Sequence, residues 1–309
     1  MGRRRKGEPV SGWICLDKPI DLGSTQAVGR VRRAFNAQKA GHAGTLDPLA
    51  TGILPIALGE ATKTVPFLME ADKAYSFTIQ WGVETASFDR EGAVTATSDV
   101  RPGLDAVAEA LKAFVGEIDQ IPPDFSAVRV DGQRAYDLAR EGVELDLKSR
   151  RVVIRNARVA GANGPDQVDI EIECGKGTYV RAIVRDLATA LGARGHVSAL
   201  RRTRVGPFTE ATATGLEVLE EMCHRGAALE VLLPVETALD DIPELAVTIE
   251  DAFRLTQGRS IVLLPRQVET LKARLSASRT VSARHGTRIV ALCEMRAGRL
   301  NPTRVFNIS

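Results

Sequence analysis

Cysteine is scarce in this chain of 309 residues, and the four present, Cys15, Cys174, Cys223 and Cys293, are widely scattered. No two stand at C-x-x-C spacing, so neither a zinc site nor a disulfide framework is indicated. Long apolar runs are lacking too. No stretch approaches the ~20 residues that span a bilayer. The N-terminus lacks the apolar run of a signal peptide, so the cytoplasm is the expected compartment and no membrane partner is expected. Charge imbalance is almost absent: 41 basic against 39 acidic side chains leave a formal charge of +2. There is no G-x-S-x-G elbow, H-E-x-x-H pair or G-x-G-x-x-G loop, which removes support from hydrolase, metalloprotease and dinucleotide readings. GEATKT at 59–64 and CGKGTY at 174–179 look like damaged phosphate loops, but the first has Thr62 where the glycine before the lysine must sit and neither has the motif's required spacing.

What is present is a chain long enough for one large domain and a small one, with 44% hydrophobic residues to fill a core. Its basic residues are clustered, at Arg3 to Lys6, at Arg30, Arg32 and Arg33, at Lys148, Arg150 and Arg151, and at Arg201, Arg202 and Arg204. One such cluster is ordinarily a solvated face. Four of them, punctuating apolar segments, point toward a polyanion, of which nucleic acid is the commonest.

Trp13 to Leu16 is continuously apolar and predicts a short buried strand, stopped by Lys18-Pro19. A helix should follow, capped by Ser24 or Thr25, with Val28, Val31 and Phe35 on one side. ILPIAL at 53–58 predicts another buried strand, while Tyr75, Phe77, Ile79 and Trp81 alternate with polar residues as in a strand with one buried face. Leu104, Val107, Leu111 and Phe114 mark an amphipathic helix. Residues 150–160 and 166–174 form a hairpin around NGPD, and Val180, Ile183, Val184, Leu187 and Leu191 trace a helical stripe. Strands and helices mix without a strict βαβ rhythm, which favours an α+β fold with a mixed, largely antiparallel sheet. Residues 122–149, opening on Pro122-Pro123 and rich in charge, read as an insertion standing off the core. A Pro- and acid-rich break at 233–245 precedes short apolar runs at 261–264 and 289–293, as in a small strand-rich second domain. The charged stretch 266–284 is long for a connection within it.

The segment GHAGTLDPLATG at 41–52 is the strongest candidate for chemistry. Gly41 and Gly44 permit close approaches, and Pro48 biases Asp47 toward an extended conformation, so that Asp47 is held stiffly. Such a carboxylate is either a turn cap or a preorganised nucleophile or base. His42 reads as a turn histidine first and a ligand contact second. Tyr75 lies on the alternating face of its strand, where core packing is the first explanation. Arg181, in the first turn of a helix and close to its apolar stripe, needs an acidic partner if buried. Were that partner Asp47, the pair would fix the carboxylate's charge and direction.

Taken in order, GWICLDKP, AGHAGTLDPLATGILPIALGEATK, DKAYSFTIQWG, IPPDFSAVRVDGQRAYDLAREG, CGKGTYVRAIVRDL and LRRTRVGPF resemble the bacterial tRNA pseudouridine synthase B (TruB) family from about residue 12 to 240. The resemblance implies a pseudouridine synthase fold: a central mixed, largely antiparallel sheet flanked by helices, with a small β-rich C-terminal PUA-like domain. It implies isomerisation of uridine 55 in the T loop of tRNA to pseudouridine. Asp47 becomes the catalytic aspartate, Tyr75 the aromatic residue packing on the base, and Arg181 the partner of the aspartate. His42, Tyr179 and Leu200 match positions that contact the flipped nucleotide or the space it vacates.

The implied organisation is a basic arm at 1–11, a catalytic domain at 12–241 whose residues 122–149 belong to a thumb on the T loop, and a PUA-like domain at 242–309 on the acceptor arm. Partners would be the two arms of tRNA, with the protein a monomer. Isomerising an N-glycoside to a C-glycoside is redox-neutral, so no cofactor and no metal is expected. One aspartate suffices where a glycoside hydrolase ordinarily needs two carboxylates. Asp47 would either attack sugar or base covalently or assist glycosidic cleavage. The detached uracil must rotate in a dry pocket and be held by stacking, and the uridine must first leave the loop stack, with His42 available to fill the gap. GVETASFDREG at 82–92 is looser than the family's T-x-T-x-D pattern, and its role is open. Two rival readings are a non-catalytic RNA-binding protein and an N-glycoside hydrolase.

Overall fold

The computed structural model describes residues 7–126, 128–130, 132–143, 145–275 and 279–307. Its centre is a mixed sheet in which Thr214–Gly215, Gly12–Lys18, Thr51–Leu58, Gly195–Val205, Lys73–Trp81, Gln167–Cys174, Arg150–Ala162 and Gly116–Gln120 lie side by side in that order. Most neighbours are antiparallel. Parallel pairing occurs between Gly12–Lys18 and Thr214–Gly215 and between Thr51–Leu58 and Gly195–Val205.

The hydrophobic pattern of each strand follows from how many of its faces are covered. In Gly12–Lys18, Ile14 and Leu16 join the main core, while Trp13 and Cys15 join a second core on the opposite face. Thr51–Leu58 divides likewise, with Leu54, Ile56 and Leu58 on one side and Ile53 and Ala57 on the other. Both strands are therefore continuously apolar. Lys73–Trp81 and Gln167–Cys174 are covered on one face only, so they alternate, with Phe77, Ile79, Trp81, Val168, Ile170 and Ile172 buried. The main core is closed by helices Ser24–Ala34, Leu104–Lys112, Val180–Ala190 and Leu216–His224, which contribute Ala27, Val31, Val107, Leu111, Ile183, Leu187 and Leu219.

A second sheet of the described residues, ordered Glu244–Ala246, Thr280–His285, Arg288–Arg296, Arg299–Val305 and Ile261–Val262, makes the small C-terminal β domain. It has its own core, in which Val281, Ala291 and Leu300 are buried beneath helices Ile249–Thr256 and Pro265–Lys272. The charged stretch that looked too long for a connection is thus partly a helix. The Pro- and acid-rich break is packed rather than loose: Val235, Ala238 and Leu239 are buried in the core shared by Trp13 and Phe208 with Ile289, Leu292 and Phe306. The 122–149 insertion contains a helix, Ala135–Arg140, and a small cluster of Val128, Ala135 and Leu147 against which Tyr179 packs.

One expected cap is corrected. Gly23, not Ser24 or Thr25, precedes the first turn, and its N–H donates to Gln26 Oε1 at 3.0 Å. Ser24 lies inside the helix because its hydroxyl is committed elsewhere: it donates to Leu46 O at 2.7 Å and accepts from Leu46 N at 2.8 Å.

Candidate active site

The loop around Asp47 connects Ala40–His42 to Thr51–Leu58, and its backbone is held almost atom by atom. Arg202 donates to Gly44 O (3.1 Å), Thr45 O (3.3 Å) and Ile53 O (2.7 Å). Ser24 grips both polar backbone atoms of Leu46. The N–H of Ala50 donates to Asp47 O, and Pro48 O accepts from Lys18 Nζ at 3.2 Å and from the N–H of Asp21 at 2.9 Å. Lys18 is fully buried and also donates to Pro19 O and Leu22 O. Burial pushes its ammonium down to about 8, the opposing pull of Asp47 being the smaller influence. The glycine requirement falls on Gly44, at φ +93°, and on Gly52, at φ +97°, where a Cβ would stand 2.2 Å from Arg202 O. Gly41 sits in open space at an ordinary φ, contrary to the role given it above.

Arg202 is only 1% exposed, and its guanidinium is solvated by carbonyls. Its neighbours in the same basic cluster are occupied as well. Arg201 bonds Asp17 and Glu210, and Arg204 bonds Glu173. This cluster is internal wiring rather than a free polyanion surface, and Arg30 is likewise paired, with Glu220. The cluster Arg3 to Lys6 lies outside the described residues.

Tyr75 stands directly across from Ile172 on one neighbouring strand and Arg202 on the other. Tyr179 caps the helix Val180–Ala190; its N–H donates to Gln120 Oε1 at 2.8 Å and its carbonyl accepts from Gln120 Nε2 at 3.1 Å. Burial pushes the phenols of Tyr75 and Tyr179 upward. Two residues beyond Tyr179, Arg181 is buried, and its Nη2 lies 2.8 Å from Asp47 Oδ2. Arg181 also donates to Phe125 O at 2.9 Å and Ser87 O at 3.2 Å, and its Nη1 stands 3.5 Å from Asp89 Oδ2. One guanidinium thereby ties together the loop of Asp47, the 82–92 segment and the root of the insertion.

These groups surround a cleft of about 530 Å³, lined by Asp47, Tyr75, Tyr179, Arg181 and Leu200 among others. Five of the six candidate residues thus meet. His42 does not line the cleft. Burial, and then the charge of Arg202, push its imidazole below the ordinary value, and its buried Nδ1 has no hydrogen-bond partner among the described residues. At the rim stand Arg150, Arg151 and Lys176. Among the described residues there is no cluster of acidic, histidine and cysteine side chains arranged to hold a metal ion, and no helix is long and apolar enough to cross a membrane.

Sequence reasoning missed Asp89. The segment at 82–92, whose role the sequence left open, is compact: Ser87 Oγ and the N–H of Glu91 both donate to Asp89 Oδ1, Thr85 Oγ1 donates to Asp89 O, and Val197 N donates to Phe88 O at 3.0 Å. The available signal was Thr85, Ser87 and Asp89 at two-residue spacing before Gly92, which supplies one hydroxyl to the buried carboxylate and one to its backbone carbonyl. Lys18 and Arg202 were also missed, the first read as a strand stop and the second as surface charge.

Residues 32–180 match the family model described as TruB family pseudouridylate synthase (N terminal domain), and residues 181–240 match the tRNA pseudouridylate synthase B C-terminal domain. The chain is 70% identical over 310 aligned positions to "tRNA pseudouridine synthase B" of Caulobacter sp. (strain K31), covering 100% of both chains. It is 46% identical to the protein of that name from Rhodospirillum rubrum (strain ATCC 11170), again covering 100% of both. Among solved structures, a chain from an H/ACA RNP bound to a substrate RNA containing 2'-deoxyuridine superposes with a TM-score of 0.73 at 22% identity, covering 100% of this chain and 92% of that one. A chain of a Cbf5-Nop10-Gar1 complex gives 0.71 at 24%, covering 95% and 84%. These two likenesses establish the fold.

Proposed function

Since the chain belongs to the TruB family, matching members over its whole length, we propose that it converts uridine 55 of the tRNA T loop to pseudouridine with Asp47 as the reacting carboxylate. The chain is a tRNA pseudouridine synthase, and its substrate is a tRNA uridine. The observation that carries the assignment of Asp47 is its geometry: one carboxylate oxygen held at 2.8 Å by Arg181, in a loop whose backbone is pinned from both sides, at the wall of a cleft with two tyrosines. Such fixation places the carboxylate against a flipped nucleotide without reorganisation.

In the reaction the N1–C1′ bond of the uridine breaks and a C5–C1′ bond forms. The proton on C5 leaves to solvent and N1 is protonated. Asp47 assists glycosidic cleavage or attacks directly, and Tyr75 and Leu200 sandwich the uracil while it turns. Tyr179, with its phenol kept protonated, contributes a donor at the other wall. Residues 122–149 would close on the T loop, since Ser126 lines the cleft and Phe125 is bonded to Arg181. Residues 242–309 form the PUA-like unit that docks on the acceptor arm, beyond a catalytic unit at 12–241. His42, outside the cleft, is suited to the gap left in the loop rather than to the base itself.

Hydrolysis is the weaker reading because the second carboxylate, Asp89, contacts Arg181 with one oxygen already doubly hydrogen-bonded and does not line the cleft. The test is tRNA carrying tritium at uracil carbon 5. Isomerisation releases tritium while the RNA keeps its base, hydrolysis frees the base, and simple binding does neither. An active preparation that released no tritium would refute the proposal.

A further inference from the structure

The segment GEATK, which resembles a phosphate loop but cannot be one, has a different use in the fold. Residues Gly59–Lys63 form a 3-10 helix anchored at its start to the catalytic sheet: the N–H of Gly59 donates to Lys39 O at 2.9 Å, and that of Glu60 to Ser11 Oγ at 3.1 Å. Its two charged side chains point the other way, to the end of the chain. Lys63 Nζ donates to Val305 O at 2.7 Å and lies 5.7 Å from the centre of the Phe306 ring. Glu60 Oε2 accepts from the N–H of Asn307 at 2.7 Å and from Lys63 Nζ at 2.6 Å. Between them Ala61 and Phe306 are buried in the core shared by the two sheets. The tail belongs at the same time to the second sheet, through the bond from Phe306 N to Val290 O at 2.9 Å.

We propose that the Glu60–Lys63 pair is a positioning latch that fixes the C-terminal β domain on the catalytic sheet, so that a tRNA held at the T loop meets its second docking surface without a search. The charges grip a donor and an acceptor of the main chain on either side of an inserted aromatic ring, which sets orientation as well as proximity. For a substrate held at two places, the second contact acts at an effective concentration governed by the stiffness of the connection. A loosened latch lowers that concentration and leaves the cleft untouched. The inference rests on the reading that the C-terminal domain docks on tRNA.

Removing residues 243–309 would not test it, because that uncovers Trp13 and Phe208, which pack with Ile289, Leu292 and Phe306. The informative experiment compares whole tRNA with a synthetic hairpin carrying only the T arm, for the full-length chain and its Lys63→Met, Glu60→Gln and Lys63→Arg variants, with thermal melting to confirm folding. For Lys63→Met and Glu60→Gln, KM for whole tRNA should rise about three- to tenfold at unchanged kcat, while kinetics on the hairpin stay constant. Lys63→Arg should restore most of the loss. Equal effects on both substrates, or none on whole tRNA in either variant, would overturn the latch. An unaltered enzyme with equal KM for the two RNAs would overturn the docking reading itself, and the latch with it.

Discussion

Two carboxylates face the same guanidinium, and the protein treats them in opposite ways. Asp89 presents a side chain only 4% exposed, with a serine hydroxyl and a backbone N–H on one oxygen and Arg181 near the other. Asp47 is 36% exposed and takes one short bond from Arg181. The effort spent on Asp47 goes into the backbone that carries it: carbonyls bound by Arg202 and Lys18, a leucine clamped by Ser24. A carboxylate surrounded by donors is stabilised as an anion and reacts poorly. One that is aimed by its main chain keeps oxygen available. On the proposed assignment, the contrast separates the group that holds Arg181 in place from the group that Arg181 serves.

The sharpest way to break this contrast is to neutralise each carboxylate in turn. Asp47→Asn should lower kcat by about 10³-fold or more while the melting temperature and tRNA affinity stay near those of the parent, as expected where an interaction with the reacting atoms is removed. Asp89→Asn should do the reverse in emphasis, costing about 1–3 kcal/mol of stability by urea unfolding and roughly tenfold in kcat as Arg181 loses its rear support. If both variants lost activity equally with stability intact, the division of labour would be wrong.

Smaller effects should come from the backbone supports. Ser24→Ala removes a donor and an acceptor from Leu46 at once, and we expect about 1–2 kcal/mol of destabilisation with a several-fold fall in kcat and an unchanged KM. The smallest effect concerns pH. Lys18 and Lys73 are both pushed down to about 8 from an ordinary 10.5, chiefly by burial. The unfolded chain therefore binds more protons than the folded one between about 8 and 10.5, and stability from these two groups rises with pH across that window. Lys73 Nζ donates to Met69 O and Ala71 O. Comparing the parent with Lys73→Met by denaturant unfolding at several pH values isolates its share: the parent should gain on the variant as pH climbs. A parent that lost ground would show that the lysine's proton is retained by its carbonyl partners.

How far the sequence foretold this depends on whether a residue's role is local or assembled. Strands buried on one or two faces could be read from Tyr75 to Trp81 and from Ile53 to Leu58, because alternation or its absence records the covering of the sheet. That Arg181, close to an apolar helical stripe, needs an acid if buried was also legible, and the family resemblance pointed to Asp47 as that acid. Lys18 and Arg202 were not. Their donors are satisfied by carbonyls, which every residue possesses, so no partner type appears in the sequence to betray them. Ser24 was misread for a related reason: its hydroxyl suits a helix cap, and only the fold reveals that Leu46 lies closer to its use. The core shared by Trp13 and Phe306 was illegible because the two are separated by nearly the whole chain.

The carbonyl-lined seat of Arg202 has an electrical consequence. Its full positive charge sits under the cleft, out of reach of dissolved ions, whereas Arg151 stands in water at the rim, with a side chain 72% exposed. Exposed charges fade as salt rises, but buried ones are screened much less. The positive field at the cleft thus has two layers, an outer one that the ionic strength of the medium tunes and an inner one that remains when the outer is quenched.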